Sequence, residues 1–386
     1  MDAVNLSVQR VTRGPQHHFF GYYDKSPWDH EGRYILALET TFMDRPPTAD
    51  DAATIGVVDL REDYAFRPLT LTHAWNWQQG CMAQWLPKSR RFIIYNDLQG
   101  GHFVSVIRSI EGGDAYTLPL PVYAVSHNGR RALTLNFARL ARTRPGYGYN
   151  GVTDPRVTEK RPVKDGIYLL DLATGESDLI VSIAQMTEFH PRPDMENAVH
   201  WFNHILFSPD DRRFIFLHRW TSELGRPWKT RLLTADVDGG DLYLLTDDDM
   251  VSHFDWRDPQ HILAWARKKD IGDRYFLFTD HSNDFQVIGE EVLTSDGHCS
   301  YSPDRRWILT DTYPDIEQKR RLLLYNPEEK RLVEIGRFYS QPELRGEIRC
   351  DLHPRWSHDG HHVCIDSTHE GSRQMYIIDV SSIVGE

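Results

Sequence analysis

Seven times along the chain, an apolar stretch runs into a short polar turn and out again into a second stretch rich in β-branched and aromatic residues. The copies span Tyr22 to Glu39, Met82 to Asp97, Pro121 to Phe137, His204 to Trp220, His253 to Arg267, His298 to Tyr313 and His353 to His369. Turns such as Ser208-Pro209-Asp210, Ser302-Pro303-Asp304 and His358-Asp359-Gly360 hold the residue types that tight reversals favour. After most copies come two further strand-like runs, such as Gly166 to Leu172, Thr230 to Asp236 and Gln374 to Val380. Four strands per repeat make a blade, so the pattern predicts an all-β, seven-bladed β-propeller spanning residues 1–386 as a single domain.

The pattern also predicts how the ring closes. The last repeat ends soon after its third strand, at Val380, whereas the stretch Asn5 to Thr12 has no blade of its own. Added as the outer strand of blade seven, it would lock the ring and cover an open sheet edge. Spacing between repeats is uneven. The largest insertion, at about 138–164, leaves the end of a second strand in blade three and carries Arg144, Tyr147 and Tyr149.

One position recurs with the same residue. His204, His253, His298 and His353 each stand four residues before the turn of their repeat. Equivalent positions in radial repeats meet in space, so the column predicts a cluster of imidazoles at one mouth of the channel. Second strands end at that same face, which brings in Asn96-Asp97, His218-Arg219, Asp311, Tyr313 and His369. Substrate contacts are expected from His204, His218, Arg219 and Arg144. Trp75 and Trp77 sit in a polar loop and are expected to form a sugar-stacking platform. Phe207, Trp256, Tyr301 and Trp356 recur three residues after each histidine and are expected to pack between blades.

Imidazoles converging from adjacent blades suit a divalent metal such as Mn, Zn or Fe. His298 and His353 are the best pair, with Cys350 or Asp351 as a further ligand.

Composition narrows the partners. A formal charge of -12 disfavours nucleic acid and anionic membranes, both of which need a broad basic surface. No run approaches the roughly eighteen apolar residues of a spanning helix, and the first residues lack a secretory pattern. Four cysteines without Cys-x-x-Cys spacing fit reduced thiols and a cytoplasmic protein. Nothing in the sequence specifies an oligomeric state.

From about residue 200 to the C-terminus the chain resembles the oligogalacturonate lyases, through blade starts such as His353-Pro354 and the strand Thr230-Arg231-Leu232-Leu233 after His218. The resemblance implies β-elimination on uronate oligosaccharides. It places the catalytic base on His253, a catalytic arginine on Arg231 and metal ligands on His298 and His353. The chain departs from the family twice. Arg355 stands where the family has the second histidine of His-Pro-His, and Cys350 stands where it has a glutamine ligand.

A lyase must neutralise the carboxylate beside the proton it removes and supply a base near working pH. Arg231, Arg219, Arg355 or a metal would do the first and His253 the second, with Tyr147 or Tyr149 as the leaving-group acid. Two alternatives stand beside this reading. One is a glycoside hydrolase using carboxylates among Asp24, Asp97 and Asp311. The other is a non-catalytic propeller that binds a glycan or a protein.

Overall fold

The hairpin turns show why the repeats fold alike. Ser208, Ser302 and Ser357 each give their hydroxyl to the aspartate two residues on, Asp210, Asp304 and Asp359, at 2.7, 2.5 and 2.5 Å. Each serine oxygen also accepts the backbone N–H five residues later, from Arg213, Trp307 and His362. The turn thus satisfies its own polar groups and starts the second strand in register.

The computed structural model describes residues 2–4, 6–87 and 89–385. Its strands form seven sheets arranged as a seven-bladed β-propeller. Blade one holds His17–Phe19, Tyr34–Thr40, Ala53–Asp59 and Ala65–Thr72. Blade four holds Val199–Phe207, Arg213–Thr221, Lys229–Asp236 and Tyr243–Thr246. Blade five runs from Val251–Asp258 to Phe285–Ile288, and blade six from Ser300–Tyr301 to Arg331–Tyr339. In blade seven, Arg355–Trp356, His362–Ser367 and Gln374–Asp379 are completed by Val8–Arg10 from the start of the chain, antiparallel, with Gln9 opposite Ile377. The expected closure is therefore present. Of the closing stretch, Asn5 lies outside the described residues. Asp2–Ala3 adds a short parallel strand to the edge of blade six.

Each blade is sandwiched between two others, so its strands are buried on both faces and lose the apolar-polar alternation of a half-exposed sheet. Phe214 to Trp220 is buried without a break. Blade four packs Ile215, Leu217 and Leu232 on Phe254, Trp256 and Ile262 of blade five. Phe207, Trp256, Tyr301 and Trp356 are all buried, as expected of packing residues. Each such side chain contributes about 2 to 3 kcal/mol by burial. Among the described residues, no helix is long and apolar enough to cross a membrane.

Two departures from regular blades build the site. In blade one the innermost strand pairs only at its ends, Phe19 with Leu38 and Trp28 with Ile35. The longer stretch between them, including Tyr22 to Lys25, bulges into the channel. Gly21 permits this at φ +130°, where a Cβ would lie 2.7 Å from the backbone of Gln79. In blade three the second strand, Arg131–Thr134, leads into the helix Phe137–Thr143 before the chain returns at Gly166. Asn136 caps that helix by accepting the N–H of Arg139 at 3.0 Å.

Candidate active site

Three of the four column histidines form a chain of rings. His253 lies 4.2 Å from His298, and His298 lies 4.4 Å from His353, centroid to centroid. Tyr22 and Tyr23 fill the channel beside them, Tyr22 at 5.2 Å from His353 and Tyr23 at 5.3 Å from His298. His353 adopts φ +42°, and His204 takes φ +50° at a bulge in its strand. Such left-handed backbone costs about 1 kcal/mol or more and re-aims the side chain out of the ladder. His204 stands apart from the other three. It stacks on Phe254 at 4.0 Å, and its Nε2 is 3.4 Å from the buried Asp24, which also pairs with Lys25 at 2.9 Å. It is a channel residue here, where the sequence suggests a substrate contact.

Carboxylates orient two of the rings. Asp296 Oδ1 lies 2.9 Å from His253 Nδ1, and among the described residues no hydrogen bond engages His253 Nε2. Burial pushes the His253 pKa down while Asp296 pulls it back up. Asp311 holds His298 Nδ1 at 2.9 and 3.0 Å, which leaves His298 Nε2 buried and without a partner. His353 Nε2 is also buried without a partner, 3.9 Å from Asp351 Oδ2. Burial holds His353 well below the usual histidine range, so the ring is neutral. Asp351 is kept ionised against its burial by Arg349, at 2.6 Å, and by Arg320, which lies 2.8 Å away without hydrogen-bond alignment.

His298, Asp351 and His353 offer ligand atoms that all lie within 4.8 Å of one another. Two imidazoles and a carboxylate suit Mn, Zn or Fe, and a carboxylate behind His298 is the arrangement that orients a metal-binding ring. The orphaned buried nitrogens give this group its fit to a divalent ion.

Several expectations are corrected by where the side chains go. Cys350 does not join the group; its thiol is buried, pushed up to about 11, and Asp351 takes that place. Arg355 supplies no free charge, because it is paired with buried Asp366 at 2.8 Å and donates to the Gly21 carbonyl at 3.2 Å. Arg231 is engaged deep in blade four, donating to His218 Nδ1 at 3.0 Å and to the carbonyls of His190 and Met186 at 3.1 and 2.5 Å. His218 completes a buried chain with His200 at 2.9 Å and is itself fully buried, where the sequence suggests a substrate contact. Tyr149 stacks on Phe137 at 4.5 Å and accepts from Asn96. Trp75 and Trp77 are each 2% exposed, and their indole N–H groups donate to the carbonyls of Asp51 and Arg45. They are core side chains and present no exposed stacking face. The carboxylates considered for a hydrolase each have a partner, although Asp24 Oδ1 is buried without one. Asp24 and Asp311 hold Lys25 and His298, and Asp97 accepts from the His73 backbone.

Tyr147, Arg144 and Arg219 come together beside Tyr22 and Trp228. Tyr147 packs on Tyr22 at 6.1 Å, and its hydroxyl accepts from Arg349 at 2.9 Å. Arg144 lies over the rings of Tyr147 and Trp228 at 4.4 and 4.8 Å, and Arg219 over Trp228 at 5.7 Å. Trp228, Arg349, Asp296 and Tyr22 were not legible as site residues. Trp228 had one signal, its place in the loop after a second strand, on the face from which the insertion also leaves.

These features define the class: a seven-bladed propeller whose channel gathers histidines and carboxylates beneath an arginine-rich rim. No family model and no curated protein sequence matches the chain. Solved structures do match. An oligogalacturonate lyase from Vibrio parahaemolyticus superposes with a TM-score of 0.67 at 13% identity, over 97% of this chain and 94% of that one. An oligogalacturonate lyase in complex with manganese superposes with a TM-score of 0.71 at 14% identity, over 99% and 95%. The β-propeller domain of the Trilobed protease from Pyrococcus furiosus reaches 0.51 at 10% identity, over 90% of each chain. At such identities the likeness establishes the fold, and the third case shows the architecture serving a protease as well.

Proposed function

We propose that the protein is a lyase that cleaves uronate-containing oligosaccharides by β-elimination. The observation that carries this reading is the pairing of a carboxylate-oriented histidine, His253, with an adjacent group, His298, Asp351 and His353, fit for a cation. In the elimination, His253 Nε2 takes the proton on the carbon next to the sugar carboxylate, and Asp296 supports the imidazolium that forms. That electron pair becomes the new carbon-carbon double bond as the bond to the glycosidic oxygen breaks. Tyr147 gives its proton to the leaving oxygen, and the Arg349 N–H stabilises the charge left on the phenolic oxygen. A divalent ion held by His298, Asp351 and His353 would supply positive charge beside the substrate carboxylate. The four cysteines are free and buried, which suits a cytoplasmic enzyme.

The test is incubation of the protein with a panel of uronate oligosaccharides plus Mn, monitored in the near ultraviolet where the unsaturated product absorbs. New absorbance that His253→Ala abolishes supports the reading. No absorbance across the panel overturns it.

A further inference from the structure

Six arginines are buried among the described residues, and five of them pair with a carboxylate or donate to two or more acceptors, although Arg355 Nε and Arg373 Nε have no partner. Arg355 pairs with Asp366, Arg320 with Asp351 and Arg139 with Asp154. Arg231 donates to two carbonyls and His218, and Arg373 to the carbonyls of Ile348 and Arg349. The sixth, Arg219, is 7% exposed and makes one bond, from Nε to Thr230 Oγ1 at 3.2 Å. Its neighbour in charge is another arginine. Arg144 reaches over from the insertion onto the same face of the channel and shares the Trp228 ring with it. Arg144 Nε is itself buried without a partner. Among the described residues, neither Arg144 nor Arg219 forms an ion pair.

Two guanidinium groups gathered in low dielectric without a counter-ion repel one another. Burial first, and the nearby Arg144 after it, lower Arg219 to about 10. The surroundings are ready to receive a planar anion. The hydroxyl-bearing rings of Tyr22, Tyr123 and Tyr147 lie close to Arg219, and the Trp228 ring is 38% exposed beside the pair.

We propose that Arg144 and Arg219 form an oxyanion pocket on the rim, separate from the His298, Asp351 and His353 group, which takes the carboxylate of an acidic sugar while Trp228 lies against the ring. The sugar assignment rests on the lyase reading. The need for an anion does not. A guanidinium fork matches a carboxylate in two parallel bonds, and an indole face matches the apolar face of a sugar. Free inorganic phosphate offers at least as much negative charge but nothing for Trp228 to cover.

The test measures binding, without turnover, by calorimetry and thermal melting with galacturonate, glucose and inorganic phosphate. Galacturonate has no glycosidic bond to eliminate, so its binding is independent of the lyase reaction. Galacturonate is expected to bind and raise the melting temperature, and glucose to do neither. Arg219→Gln and Arg144→Gln are expected to weaken galacturonate at least tenfold. Trp228→Ala is expected to weaken it less. Arg144→Gln is further expected to melt higher than the wild type when no ligand is present, because it removes an unneutralised charge. An arginine with only a structural role would melt lower when replaced. Unchanged galacturonate binding in both arginine variants overturns the proposal, as does phosphate binding as tightly as galacturonate. Absence of lyase product together with intact galacturonate binding would reject the reaction and leave the pocket standing.

Discussion

Asp296 Oδ1 lies 2.9 Å from Nδ1 of His253, so a residue just ahead of blade six orients a ring carried by blade five. The arrangement fixes which nitrogen of His253 stays available and supports its protonated form. Removing the base is expected to lower turnover about 10²- to 10⁴-fold in His253→Ala. Asp296→Asn is expected to lose less, roughly tenfold or more, because the ring remains but its orientation and charge support weaken. Steady-state kinetics on a uronate oligosaccharide, with melting curves alongside, checks both. Equal loss of stability and activity would assign Asp296 to folding instead.

Metal removal follows from the orphaned nitrogens of His298 and His353. Chelation is expected to abolish activity and Mn to restore it. His298→Ala is expected to lower bound metal and activity together, with partial rescue by excess Mn. Cys350→Ser is expected to leave metal content unchanged, since the thiol stands outside the group. Elemental analysis of the purified variants reads all three.

Arg355 is expected to behave as a structural residue. Breaking its buried pair by Arg355→Ala strands Asp366 and is expected to cost about 3 to 5 kcal/mol. Denaturant unfolding measures the loss. Activity per folded molecule, assayed below the melting temperature, is expected to stay within a few-fold of wild type. A selective loss of metal in this variant would return Arg355 to the site.

The buried pair of His200 and His218 sets an acid limit on stability. Burial, with Arg231 and Arg139 nearby, lowers His200 to about 4 from an ordinary 6.5. Above pH 6.5 neither the folded nor the unfolded state binds the proton, so the residue adds no pH dependence. As pH falls from 6.5 towards 4, the unfolded chain gains a proton that the folded one refuses, and stability falls. The loss reaches about 3 kcal/mol at the lower end. Denaturant unfolding at pH 7 and pH 4.5 checks this, and His200→Gln is expected to flatten the difference.

The repeats, the seven blades, the closing strand and the histidine column were legible in the chain because each rests on local chemistry. Ser-x-Asp turns satisfy themselves within a few residues, strand runs of apolar residues announce burial on both faces, and a position repeated in register must meet its equivalents when the ring closes. Charge partners were not legible, because they come from other strands and other blades. Arg355 and Arg219 look equally free in sequence, yet Asp366 on the adjacent strand neutralises one, while among the described residues the other forms no ion pair and has Arg144 beside it. Trp75 and Trp77 show the same limit for burial. Their polar neighbours Asn76, Gln78 and Gln79 suggest an exposed loop, but all three are buried and bonded, mostly to backbone groups. Tertiary structure alone decided that Asp351 and not Cys350 faces the two histidines, because neighbouring side chains leave an irregular segment in directions no repeat prescribes.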